Sequence, residues 1–123
     1  MINLKSLVYN ILNDSRITSL ISEDNILDAY PNKIETFPCI IFLDSNQNDI
    51  EFADNKPLGD DCSVTIHIFT KALGGYSTTS EIGIVVSEVF KDNFFSCDGN
   101  TEVNDPDPNV RHRIMNFRKE ILS

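Results

Sequence analysis

Residues 62–70 alternate in character along the chain. Val64, Ile66 and Ile68 point one way and Thr65, His67 and Phe69 the other. A period of two marks a β-strand, because successive side chains leave opposite faces of the backbone. An aliphatic strand face has to be covered, so this segment commits the chain to a sheet with an apolar layer against it. Residues 39–44, Cys-Ile-Ile-Phe-Leu-Asp, are dense in apolar and β-branched side chains and predict a strand buried on both faces. Pro38 sets the start of that strand, because the residue before a proline avoids helix. Between the two strands, Ser45 to Asp49 reads as a turn. Ile50 and Phe52 then alternate with Glu51 and Ala53 as a short half-exposed strand, and Asp54 to Asp61 is turn-rich with Pro57 and Gly59.

The helices announce themselves by a different period. Leu4, Leu7, Val8, Ile11 and Leu12 fall on one stripe, with Asn3 placed to cap it. A second short helix is expected to turn Ile17, Leu20 and Ile21 inward and to end at Ser22 to Asn25. Ile26 to Tyr30 reads as extended, closed by Pro31-Asn32. After a break at Gly74-Gly75, Thr78-Thr79-Ser80-Glu81 is a capping-box pattern. The helix it opens should bury Ile82, Val85, Val86, Val89 and Phe90, with Lys91 in the last turn, where a cation suits the helix dipole. Phe94-Phe95 begins another extended piece. Cys97 to Asn109, polar and acidic with Pro106 and Pro108, is expected to be a mobile loop. Residues 110–122 finish as an extended segment with Met115, Phe117 and Ile121 on one face.

Residues 39–70 carry no helical stripe, which excludes the crossovers that a parallel sheet needs. The expectation is an α+β fold: an antiparallel β-sheet meander with one or two N-terminal helices and one central helix packed on one face. The other face needs a partner or must be polar. At 123 residues the chain fits one domain, spanning 1–123.

Ten Lys and Arg against nineteen Asp and Glu leave a net charge of −9. That balance argues against wrapping nucleic acid through its phosphates and against docking on anionic lipid. The longest apolar runs, such as Cys39 to Leu43, are far shorter than the ~20 residues of a membrane span. The first residues already carry the helical pattern, so no signal peptide is expected. Cys39, Cys62 and Cys97 are odd in number and widely spaced, and read as reduced thiols of a cytosolic product.

Catalytic candidates are sparse. His67 sits mid-strand opposite the isoleucines, and reads as a strand histidine facing solvent or a neighbour. His112 lies between Arg111 and Arg113, two cations that should lower its pKa, on what reads as a charged edge strand. No Cys-x-x-Cys, His-x-x-x-His or calcium-loop spacing occurs. Asp60-Asp61 and the acids from Asp98 to Asp107 read as solvated loops, and Gly74-Gly75 lacks the Lys that would make it a phosphate cradle. Arg111, Arg113, Arg118 and Lys119 form a short basic cluster fit either to meet a neighbouring subunit or to balance local acids.

Several of these segments recur in order in a known family. They are Ile26 to Pro31, Pro38-Cys39-Ile40-Ile41-Phe42, Phe52-Ala53-Asp54-Asn55, and Val64 to Lys71 ending in Phe-Thr-Lys. Ser80-Glu81 then opens a helix, and His112-Arg113-Ile114-Met115-Asn116-Phe117-Arg118 closes the set. The set resembles the phage tail-completion, or tail-terminator, family of head–tail joining proteins. The resemblance implies a virion protein without enzymatic activity, cofactor, metal or catalytic residue, assembled in the bacterial host cytoplasm. It implies a ring, commonly of six copies, at the head-proximal end of a tail tube, where it stops tube growth and meets neck or connector proteins. DNA would pass through such a ring without specific binding, helped by carboxylates that repel its backbone, and no membrane is involved. An adaptor or stopper on the portal side is the alternative, and a small-molecule-binding or enzymatic α+β domain a distant one. Ile50, Glu51 and Phe52 are nominated as contact residues because two apolar side chains stand in an acidic loop. The last strand is nominated with them through Arg111, Arg113 and Arg118.

Overall fold

The computed structural model describes residues 3–50, 52, 53, 56, 57 and 59–122, with side chains described in all of these except 44–49, 52, 53, 56 and 57. The elements run α1 (Leu4–Leu12), α2 (Ser15–Thr18), a 3₁₀ turn (Glu23–Asn25), β1 (Ile26–Leu27), β2 (Cys39–Asp49), β3 (Phe52–Ala53), β4 (Lys56–Pro57), β5 (Gly59–Lys71), α3 (Thr79–Asp92), β6 (Ser96–Val103) and β7 (Val110–Leu122). This is the expected α+β fold. Five strands form one sheet in the order β1-β2-β5-β7-β6, and β3 and β4 pair separately as a ribbon between β2 and β5. The structure adds a detail to the antiparallel run: β1 lies parallel to β2, while every other pair in the large sheet is antiparallel. The strand that follows α3 takes the outer place, and β7 returns between it and β5.

All three helices lie over one face. Ile40 and Phe42 of β2, Val64, Ile66 and Ile68 of β5, and Met115 and Phe117 of β7 are buried in one cluster with the inner stripes of the helices. Phe90 of α3 stacks on Phe117 at 4.4 Å and 13°, and Phe95 meets it edge-on at 5.2 Å. The stripe expected for α3 is buried as read, with Val85 at its margin. Its start is held by the capping box, in which Thr78 Oγ1 accepts from the Glu81 amide at 3.1 Å. Asn3 and Asp14 cap α1 and α2 in the same way. Arg16 ties the second helix to the third through Asp92 at 2.7 Å.

Three segments expected to be loop or turn are strand. Ser45 to Asp49 continues β2, Gly59 to Asp61 starts β5, and Ser96–Val103 is an edge strand paired to β7. The reason is shared. These residues are held by backbone pairing rather than by an apolar face, so alternation is absent from their sequence. In β6 most side chains are exposed, and a register shift between Cys97 and Gly99 marks a bulge. Only 104–109 is left as a turn, built on Asp105 and Asp107 carboxylates that accept backbone amides two residues on. Gly59 opens β5 because a Cβ there would meet the carbonyl of Ile121 in the neighbouring strand. Gly74 and Gly75 supply the positive φ angles of the turn before α3. The extended piece expected at Phe94 does not start there. Phe94 has φ 66° and terminates the helix, and β6 begins at Ser96.

No helix among the described residues is long and apolar enough to cross a membrane. Phe90→Ala should destabilise the fold by ~3–5 kcal/mol, since the ring is fully enclosed between Phe117 and Phe95. Ile84→Ala, on the 61% exposed side of the same helix, should move it by less than ~0.5 kcal/mol. Urea denaturation of the two variants measures the difference.

Candidate assembly surfaces

The face of the sheet away from the helices has two unlike halves. At one end Cys39, Ile41, Phe69 and Val110 form a second small apolar cluster, covered by Ile34 and Phe37 from the segment that joins β1 to β2. His67 of β5 and His112 of β7 meet at its edge, with Nδ1 of one 2.9 Å from Nε2 of the other, so one ring donates the hydrogen bond the other accepts. His112 stacks on Phe69 at 4.1 Å, and Tyr30 stands edge-on to His67 at 5.4 Å. Burial pushes His67 below its ordinary pKa, and a charge on His112 would push it further. Burial also lowers His112, while Asp105 opposes the shift. The direction agrees with the sequence reading, but the cause differs. In a strand Arg111 and Arg113 leave the opposite face from His112, so neighbours in sequence are not neighbours in space.

Toward the free ends of the long strands the same face is polar. Thr65 donates to Asn116 at 2.8 Å across β5 and β7. Arg118 grips both carboxylate oxygens of Asp61 at 2.8 and 2.7 Å, which holds the acid below its usual range and raises the guanidinium. With the arginine side chain 51% exposed, this pair adds order more than stability. Cys39 has its thiol pushed up to about 11 by burial, so it is no nucleophile at neutral pH. Among the described residues no group of three or more His, Cys, Asp or Glu is placed to hold a metal.

The nominated residues are dispersed by the fold. Ile50 is half-buried, and its amide donates to the Gly59 carbonyl at 2.9 Å, closing the β2–β5 hairpin. Glu51 lies outside the described residues, and Phe52 is described only as backbone, paired with Pro57. Arg111 is exposed and donates to the Pro108 carbonyl at 2.8 Å. Arg113 turns inward. It donates to Thr79, Ser80 and Asn100 at 3.3, 2.9 and 2.8 Å, and its aliphatic stem lies over Gly83. It braces β7 against the start of α3 and against β6, and little of it is left for a partner. Arg118 projects from the other face, so the basic cluster of the sequence is not one patch.

Two further features were not nominated. The sheet has open edges on opposite sides. On one, β1 covers only Ile40 and Ile41, so the outer side of β2 beyond them has no strand neighbour among the described residues. On the other, β6 pairs with β7 alone. A groove of about 460 Å³ runs beside the first edge, between α1 and β1–β2, lined by Tyr9, Ile26, Leu27 and Phe42 with Lys5 and Asp28. Beside the second edge Phe94 stands 81% exposed. The signal for it was in the sequence: of two adjacent aromatics leaving a helix, only one can turn inward, and Phe95 does so.

The sequence model of the family described as "Tail completion protein gp17" matches residues 5–120. No curated protein matches the chain. Among solved structures, a chain of the "Virion of native gene transfer agent (GTA) particle" shares the fold at 15% identity and a TM-score of 0.58, covering 98% of this chain and 95% of that one.

The histidine pair makes stability depend on pH. Because both rings have lowered pKa values when folded, the unfolded chain binds more protons once the pH drops below the ordinary histidine value of ~6.5. Stability should therefore fall from pH 7.5 to 5.5. His112→Phe, which keeps a ring on Phe69, should flatten that slope in urea midpoints taken at each pH; parallel slopes would assign the dependence to other groups.

Proposed function

The chain belongs to the family of tail completion protein gp17, and on that premise we propose that it is a non-enzymatic component of a phage or phage-like tail whose copies close into a ring on the head-proximal end of the tail tube. The ring stops tube growth and presents a surface to the neck or connector proteins. Its partners are other copies of itself, six in the resembling rings, then the tube protein and the neck. It assembles in the host cytoplasm as one domain.

The observation that carries this reading is the pair of open sheet edges on opposite sides of the fold. Open edges invite pairing with another chain, and natural proteins block them unless they are used. Contacts on two opposite sides that differ from each other add copies head to tail, and such an arrangement closes into a ring when the rotation per copy allows. Stopping a tube requires in addition that the two ends of the ring differ, one matching the tube subunit and the other refusing it. The halves of the far face, one apolar and aromatic and one polar, support a difference of that kind along the strands. The net charge of −9 supports passage of DNA without adhesion.

The test is the particle lacking this protein. Electron microscopy should show abnormally long tubes; full-length tails detached from heads would overturn termination and indicate an adaptor or stopper. Purified protein should show no salt-sensitive micromolar affinity for duplex DNA. Ile50→Asp combined with Phe52→Asp should abolish ring assembly on tubes, and rings of normal appearance would remove that hairpin from the interface.

A further inference from the structure

We propose that Phe94 of one copy seats in the groove between α1 and β1–β2 of the next copy, and that this knob-and-groove contact joins the ring. The inference rests on the ring reading above and names the residues that make the contact.

Phe94 is the one non-glycine residue with positive φ among the described residues. Its amide donates to the Lys91 carbonyl at 2.9 Å, and the Phe95 amide to the Phe90 carbonyl at 3.0 Å. That is the left-handed closure of a helix end, a position where glycine is favoured because a Cβ is disfavoured there. The chain instead places a phenyl ring in this position and leaves it 81% exposed. A bulky side chain in such a backbone state points to a use for it. The ring's partner on its own surface is a cation and not an apolar side chain. Lys119, whose ammonium donates to the Asn93 carbonyl at 2.9 Å, stands 5.7 Å from the Phe94 centroid and 5.5 Å from that of Phe95.

At about 460 Å³ the groove falls within the size of clefts that take a small ligand, and Tyr9, Leu27 and Phe42 give it an apolar wall. Knob and groove cannot meet within one molecule. The groove flanks β1 and β2, and Phe94 flanks β6, at the two ends of the strand order. Each copy therefore carries one unused anchor and one unused socket, the arrangement that adds copies head to tail.

Charge selects a second copy as the occupant. The groove carries Lys5 and Asp28, neither in an ion pair among the described residues. Phe94 is flanked by Asp98 and Lys119, and by Arg118 and Glu120, which stand 3.9 Å from each other. Lys5 can meet Asp98 as Asp28 meets Lys119. Two molecules of charge −9 repel at distance, so their contact needs an apolar anchor with locally opposed charges around it.

The experiment uses the full chain with assembled tail tubes, read by electron microscopy of tube ends and by sedimentation of the mixture. Phe94→Gly should raise the thermal midpoint, since it relieves the left-handed aromatic, and should weaken copy–copy association by about thirtyfold or more, as removal of a central aromatic anchor does. Tyr9→Asp, at the exposed rim of the groove, should weaken association equally. Mixing the two variants should yield pairs and no rings, because one intact knob and one intact groove remain. Wild-type rings together with unchanged Phe94→Gly rings would overturn the contact while leaving the ring standing. A wild-type chain that adds singly to tubes would overturn both.

Discussion

Along its whole length of thirteen residues β5 hydrogen-bonds to β7 on one side, and along most of it to β2 on the other. Because alternate side chains of a strand leave opposite faces, that double pairing divides the molecule. Cys62, Val64, Ile66 and Ile68 go under the helices, and Asp61, Thr65, His67 and Phe69 go to the far side. A slip of one residue would exchange the two sets, placing an acid, a hydroxyl and an imidazole under α3. The apolar demand of the helix side thus sets the register, and the register then sets which groups the far side displays.

The far side is where the chain has chemical choice. Near the β1–β2 connection it closes over a small apolar cluster, and at its edge two histidines share one proton between ring nitrogens 2.9 Å apart. Toward the free ends of the strands it offers hydrogen bonds and an arginine–aspartate fork. The Cys39 thiol is buried with a raised pKa, and the imidazoles bond to each other. The strands themselves, roughly 40 Å long at ~3.3 Å per residue, extend these unlike halves along one axis. The chain belongs to a tail completion family, and two unlike halves would suit the contact with two different neighbours proposed above.

The sheet edges are a separate matter. β1 is two residues long and β6 presents mostly polar side chains. Both features narrow which strand could pair there without covering the edge. The association proposed above would then draw on more than open backbone alone. In the proposed ring, an aromatic held out at a helix terminus and a cleft at the opposite edge would supply shape where edge pairing by itself would supply only adhesion.

The elements that the sequence determined by itself are those held by apolar periodicity: the stripes of α1 and α3, the alternation of β5, and the doubly buried start of β2. Their side chains must leave water, and the period of burial is written in residue order. The capping box before α3 was legible for the same local reason, since both partners lie within four residues. The far ends of β2 and β5 and all of β6 were not, because backbone pairing with a distant strand leaves no mark on side-chain pattern. The candidate surfaces followed the same division. Arg113 is braced against α3 and Arg118 is across the sheet from it, though both belong to one basic run. Ile50 closes a hairpin, and Phe94 was passed over. Which of the residues near an edge face a neighbour depends on the order in which five strands lie side by side, and only long-range pairing decides that order.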